Sequence, residues 1–414
     1  MSRLSRRSLV AGALLGAAGA LAGPVTTATA ADTAGPGGRS HRVRTIRLAT
    51  ADGSVTMNRI VAANRYGAIL GAGTITDAGE SREGTIVWTG DRLVVPPLPP
   101  AARPYSVLDG AVWINDSGQL AGSYDDGTGT QHALVWDRYD AAPREVSFGR
   151  TNANATAVNG AGRIVGFGWD TMGAEGPLAT PYFSDGGQAV SIDPAPGDHP
   201  GNHVLGFNDR GTVLMRYGGT EGYPSTGAFL WRKGETATNL NRLAGDYDLG
   251  SGALNAADQV VLGRDSFGEH HVYFFTSTAD TVTAVLGPTD GSSSIQEVPR
   301  PLSDLGHVAG WYYHDGIDKH PFLWSGGAVL DLGTLGGPGA EPLAVNNLGQ
   351  VAGTSDVPDG TRRAFLWRDG EPIAIDPPGG GYVSTSAAWL TDRGDVLGYA
   401  DTADERHAVI WTVR

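Results

Sequence analysis

The 414-residue sequence has no cysteine, which excludes disulfides and thiolate-ligated zinc. It is poor in basic side chains: 30 Lys and Arg stand against 44 Asp and Glu, a formal net charge of −14. Nucleic-acid backbones and anionic lipid surfaces both need basic patches, so neither is an expected partner. No apolar run reaches the ~18 residues that cross a bilayer as a helix. Beyond residue 30, no stretch keeps a helical period for three turns. P-loop and Ser-His-Asp signatures are missing, as are the marks of a nicotinamide, flavin or quinone site, and no cofactor is expected.

Glycine is in excess, with 62 residues, about twice the ordinary ~7%. Proline, at 24, is ordinary and 40% of residues are hydrophobic, so neither collagen nor wholesale disorder fits. The surplus glycine must serve turns.

Residues 1–30 read as an export signal. Ser5-Arg6-Arg7-Ser8-Leu9-Val10 opens an uncharged stretch to Ala22, and the small-residue site Ala28-Thr29-Ala30 follows. The pattern is that of a twin-arginine signal, read by a receptor and associated with substrates that fold before export. Cleavage after Ala30 removes Arg3, Arg6 and Arg7 and no acid, leaving 27 basic against 44 acidic residues, a net charge of −17. Residues 31–41 have no periodicity and read as a flexible lead-in. Residues 42–414 read as one domain. The expectation is a secreted, monomeric protein with no membrane span after cleavage.

One phrase recurs along that domain: Asn, two residues, Gly, one residue, an apolar pair, Gly. It stands as Asn64-Arg-Tyr-Gly67-Ala-Ile-Leu-Gly71, Asn115-Asp-Ser-Gly118-Gln-Leu-Ala-Gly122, Asn159-Gly-Ala-Gly162-Arg-Ile-Val-Gly166 and Asn346-Asn-Leu-Gly349-Gln-Val-Ala-Gly353. Degraded copies start at Asn208, Asn255, Ser303 and Thr391, with Asp258 replacing the first Gly of the second. The first Gly, or its replacement, falls at 67, 118, 162, 211, 258, 306, 349 and 394, a period of about 47 residues. A second phrase follows, a small residue, an apolar run and Trp, clear in His132-Ala-Leu-Val-Trp136, Gly227-Ala-Phe-Leu-Trp231, His320-Pro-Phe-Leu-Trp324, Arg363-Ala-Phe-Leu-Trp367 and His407-Ala-Val-Ile-Trp411 and weaker where it ends at Trp88, Ser184 and Phe275.

Each repeat reads as four short strands, because its apolar runs are brief, β-branched or aromatic, and separated by Gly, Asp and Asn. Asn can bond its own backbone two residues on and Gly supplies positive φ, so the first phrase suits a tight turn. Four-stranded units of this length build β-propellers. The predicted fold is all-β, an eight-bladed propeller, with seven blades the alternative if repeat 1 or 5 is an insertion. The eighth repeat stops at Trp411-Thr-Val-Arg414, and the orphan segment His41–Ala49 can supply its missing strand and close the ring, with a bulge to correct its imperfect alternation.

These phrases resemble the family of extracellular proteins with HAF repeats. The resemblance is strongest at Lys319-His-Pro-Phe-Leu-Trp-Ser-Gly-Gly-Ala-Val-Leu-Asp-Leu-Gly-Thr-Leu-Gly-Gly337, Val345–Gly353 and Arg363–Gly370, and weaker over residues 42–316. It implies secretion and a β-rich repeat fold and supplies no catalytic residues.

In a propeller the loops between the second Gly and the Trp phrase share one face with the connections between blades. That face is the expected functional one, because those loops vary most. Its candidate ligand-binding residues are Trp169, Glu175, His199, His203, Tyr217, Tyr223, Trp311 and Tyr313, since aromatic faces flanked by carboxylates and His can stack on sugars and bond hydroxyls. The alternative is that these rings only pin long loops. Asp170 and Glu221 are the candidate carboxylate pair for glycosidic acid–base work, at a separation the sequence does not give. Asp125, Asp126, Asp265, Asp315, Asp318, Asp356, Asp359, Asp401 and Asp404 recur in the same loops but match no calcium loop, and Asp with Gly is ordinary turn chemistry. His132, His271, His320 and His407 share one repeated position, which points to a structural role, and no metal is expected.

The expected function is an extracellular binding or interaction module for a glycan or a secreted protein. The alternatives are a polysaccharide-cleaving hydrolase or lyase and a structural cell-surface protein; the balance leans away from an enzyme.

Overall fold

The computed structural model describes residues 25–27, 31–34, 40–99, 113–170, 172–173, 176–177, 179–194, 201–218, 226–246, 248–264, 270–276, 281–288, 292–377 and 381–414. Most of residues 1–30, the stretch read as an export signal, lie outside these residues. Among the described residues the only α-helix is Leu240–Ala244, capped by Asn239, and no helix is long and apolar enough to cross a membrane.

The fold is all-β, a succession of antiparallel sheets in which each strand pairs with the next along the chain. Unit 1 comprises Val55–Ala63, Ile69–Asp77, Glu80–Trp88 and Leu93–Val94. Units 2 to 5 follow over residues 113–146, 152–191, 203–239 and 249–285, and units 6 to 8 over 308–331, 340–375 and 384–413. Unit 6 has three regular strands, Val308–Tyr313, Lys319–Ser325 and Ala328–Asp331. Its innermost position is held by the irregular segment 292–303, tied through the Ser294–Trp311 and Leu302–Val308 bridges.

Unit 8 contains Ser384–Leu390, Asp395–Asp401 and Arg406–Val413. Its fourth strand comes from the other end of the chain: Ser40–Thr50 pairs with Arg406–Val413, from Val43 opposite Val413 to Arg47 opposite Val409. That register runs without a shift, so the bulge expected on this edge is not needed there. The outer edge of Ser40–Thr50 carries Val25–Thr27 and Ala31–Ala34, so part of the stretch read as a lead-in lies on the sheet.

Buried apolar residues explain why the units stack. Among the described residues they fall into eight clusters, each drawn from two successive units. Between units 1 and 2, for example, Leu70 and Val87 meet Leu120, Leu134 and Trp136. Leu397, Ala408 and Ile410 of unit 8 share a cluster with Leu48, Val55, Met57 and Trp88, so the last unit packs on the first. Each sheet is apolar on both faces and buries both against neighbours, the packing scheme of propeller-like folds.

The second Gly of the repeated phrase has a steric cause. A Cβ at Gly353 would lie 2.3 Å from the Glu341 carbonyl oxygen and 2.6 Å from the Phe365 ring. The inner strand of this unit shifts register between Pro342 and Ala344, a bulge that accompanies the close approach. The same approach recurs at Gly71, Gly166, Gly310 and Gly398.

Candidate functional site

The Asn turns build one end of the molecule. In unit 4 the Asn208 Oδ1 accepts from the main-chain N–H groups of Arg210 and Thr212, each at 3.1 Å, while Gly211 closes the turn at φ 88°. The Asn208 side-chain amide is left pointing outward and donates to the Asn255 carbonyl of unit 5 at 2.9 Å. The same side chain-to-carbonyl bond joins Asn64 to Asn115, Asn159 to Asn208, Asn255 to Ser303 and Asn346 to Thr391. One residue type therefore both folds the turn and fastens it to the next unit.

The position after the Asn alternates. Asp116, Asp209, Asp304 and Asp392 stand there in units 2, 4, 6 and 8, and each accepts a main-chain N–H from the preceding unit, respectively from Arg65, Gly160, Ala256 and Asn347. The pattern is legible in the sequence once the phrases are aligned.

Beside these turns the inner strands border an open cavity of about 290 Å³, lined by residues of units 1 to 6 and by Trp389 of unit 8. Its polar lining is mixed in charge. Arg65 pairs with Asp116 at 2.6 Å and reaches Asp304 at 4.0 Å, linking unit 1 to units 2 and 6. Burial acts to lower the Arg65 pKa, but Asp116 and Asp304 outweigh it and hold the guanidinium above its ordinary value. Arg300 stacks over the Trp389 ring at 4.8 Å and donates to the Leu390 carbonyl at 3.1 Å. Desolvation lowers its pKa, opposed by Asp392, Asp304 and Asp116. The Trp389 Nε1 is buried and finds no hydrogen-bond partner among the described residues. A buried indole N–H ordinarily has an acceptor.

The residues singled out in the sequence are not gathered in one place. Trp169, Tyr217 and Trp311 are buried, at 9%, 8% and 3% exposure, and offer little ring surface for stacking. Tyr217 belongs to the cluster between units 3 and 4. Trp311 and Tyr313 do meet, edge to face at 5.2 Å, with His270 against both and the Lys319 ammonium 4.5 Å over the Trp311 ring. The Trp311 indole is already satisfied, donating to the Gln296 carbonyl at 2.9 Å. His203 is exposed and paired across its strand with Arg216. Glu175, His199, Glu221 and Tyr223 lie outside the described residues.

Asp170 is exposed and bound to Arg150 at 2.8 Å and to the Thr151 N–H at 2.8 Å. The Thr151 N–H and then Arg150 hold its carboxyl below the usual range, an environment suited to a fixed charge and not to a proton donor. In unit 6, by contrast, His314, His320 and Asp331 bring potential metal-ligating atoms within 4.8 Å of one another.

No family model and no curated protein matches the chain. Among solved structures, the β-propeller domain of the Trilobed protease from Pyrococcus furiosus is similar over 85% of this chain and 99% of its own, at 12% identity and TM-score 0.41. Oligogalacturonate lyase in complex with manganese is similar over 95% and 98%, at 9% identity and TM-score 0.47. Puromycin hydrolase is similar over 84% of this chain, which covers only 58% of that longer one, at 13% identity and TM-score 0.43. At this level of likeness no activity or ligand transfers to the chain.

Proposed function

We propose that the protein is a secreted binding module of the HAF-repeat type, exported by the twin-arginine route. Its eight units close into an eight-bladed propeller through the N-terminal strand, and its ligand enters the axial cavity at the Asn-turn end. The observation that carries the ligand site is the buried, unpartnered Trp389 N–H beside Arg300 in that cavity. The best-suited ligand is a glycan end or another acceptor-rich group, because Arg300 and Trp389 line a cavity of about 290 Å³, the small end of ligand sites.

Binding is favoured over cleavage by the state of the carboxylates. Asp116, Asp209 and Asp304 line the cavity, but each accepts a main-chain N–H from the neighbouring unit, and Asp116 also pairs with Arg65. Groups committed to holding the ring together are poorly placed to move protons. The cluster joining units 8 and 1 and the strand pairing of Ser40–Thr50 support closure.

A glycan panel incubated with purified protein, scored both for retention and for new reducing ends or unsaturated products, tests this reading. Retention without product is expected. Turnover of any member of the panel would replace the binding module with an enzyme.

A further inference from the structure

We propose that unit 6 carries a divalent-metal site formed by His314, His320 and Asp331, independent of the axial cavity. The three residues come from one end of the sheet: His314 follows the strand Val308–Tyr313, His320 is the second residue of Lys319–Ser325, and Asp331 ends Ala328–Asp331. Their ligand atoms lie within 4.8 Å of one another.

Hydrogen bonding decides what each group presents. The His320 Nε2 is 3.2 Å from the Pro338 carbonyl, which has no proton to give, so Nε2 carries the hydrogen. In the neutral ring Nδ1 then bears a lone pair. It is buried, has no hydrogen-bond partner among the described residues, and faces Asp331 Oδ1 at 3.9 Å. Two lone-pair atoms turned toward each other call for a cation between them. Ligand atoms on one tetrahedral zinc lie ~3.4 Å apart, given bonds of ~2.0–2.2 Å. A movement of about half an ångström therefore closes the pair.

The outer contacts are those a metal site uses to fix its ligands. The Tyr312 hydroxyl lies against the Asp331 carboxylate and 3.3 Å from His314 Nδ1. Donating its O–H to the carboxylate, that hydroxyl accepts from His314 Nδ1–H and leaves Nε2 with a free lone pair. The Gly333 N–H donates to Asp331 Oδ1 at 2.9 Å. The His314 and His320 rings stack at 4.3 Å, with His314 on an exposed turn. Two imidazole nitrogens and one carboxylate, without thiolate, suit zinc or another late divalent transition metal and not calcium or magnesium. The repeated His position of the sequence is thus specialised in unit 6; in unit 2 the corresponding His132 is saturated by Glu145 at 2.7 Å and Asp126 at 3.4 Å.

Untagged full-length protein, stripped with chelator and titrated with zinc chloride by calorimetry and thermal unfolding, tests the site. One equivalent should bind and raise the melting temperature, reversibly with chelator. His320→Ala and Asp331→Asn should each lower affinity by ~10- to 100-fold, and His132→Ala should leave it unchanged. Asp331→Asn, on an exposed strand, decides the matter if His320→Ala fails to fold. Absence of zinc binding, preference for calcium, or unchanged affinity in Asp331→Asn would overturn the proposal and leave the His320–Asp331 contact as a structural one.

Discussion

The side-chain amide of Asn208 donates to the main-chain carbonyl of Asn255, 2.9 Å away in the next unit, and to Asp258 Oδ1 at 2.7 Å. The same residue's Oδ1 holds its own turn. A local folding signal and an inter-unit fastener are therefore one side chain, which accounts for a repeat that keeps Asn while tolerating change around it.

Asn208→Ala should destabilise the protein by about 3 kcal/mol, because it strands buried groups on both sides of the unit boundary. Asn208→Ser should lose less, since Ser303 of unit 6 shows that a hydroxyl can still accept the turn N–H, there from His307 at 3.1 Å. Denaturant unfolding of the two variants against the parent checks the order.

Gly353→Ala should cost roughly 3 kcal/mol through overpacking. Trimming Phe365 should not restore it, because the Glu341 carbonyl, at 2.3 Å from the added Cβ, would still be in the way. Thermal melts of the single and double variants measure this.

Asp258 stands where the other units use Gly and adopts φ 65°. Its burial acts to raise the pKa, but hydrogen bonds from Thr212 and Asn208, then Arg232 and Arg210, prevail and hold the carboxyl below its ordinary value. A folded-state pKa below the unfolded value, about 3.9, gives stability that is present above that pH and lost as pH falls through the folded pKa. Asp258→Asn should therefore lower stability at pH 7 and flatten the acid limb below pH ~4, as read from unfolding free energies across that range.

Deleting residues 1–48 should abolish cooperative folding, since the fourth strand of unit 8 and Leu48 in the cluster shared by units 8 and 1 go with it. A truncated chain that melts like the parent would show that the ring does not depend on this strand.

Much of the fold is legible because its determinants are local. Asn64, Asn115, Asn159 and Asn346 announce turns, and Gly71, Gly166 and Gly353 announce close approaches, each within a few residues of chain. The site is less legible because it is assembled across units. Nothing near Arg300 in the sequence says that its guanidinium will lie over Trp389, 89 positions later, and the degraded sequence of unit 6 hides the inner segment that carries it. Aromatic residues beside loops, such as Trp169 and Trp311, look exposed in sequence. The two-sided burial of the sheets takes them inward.

The most direct test of the cavity is the affinity of Trp389→Phe for a glycan retained by the parent protein. This variant keeps an aromatic ring under Arg300 and removes the indole N–H together with the rest of the five-membered ring. The account predicts a folded protein, slightly less stable for the smaller side chain, and at least ~10-fold weaker retention, the loss of about one buried hydrogen bond and the orientation it gives. Unchanged affinity in a folded Trp389→Phe protein would contradict a ligand site in the axial cavity.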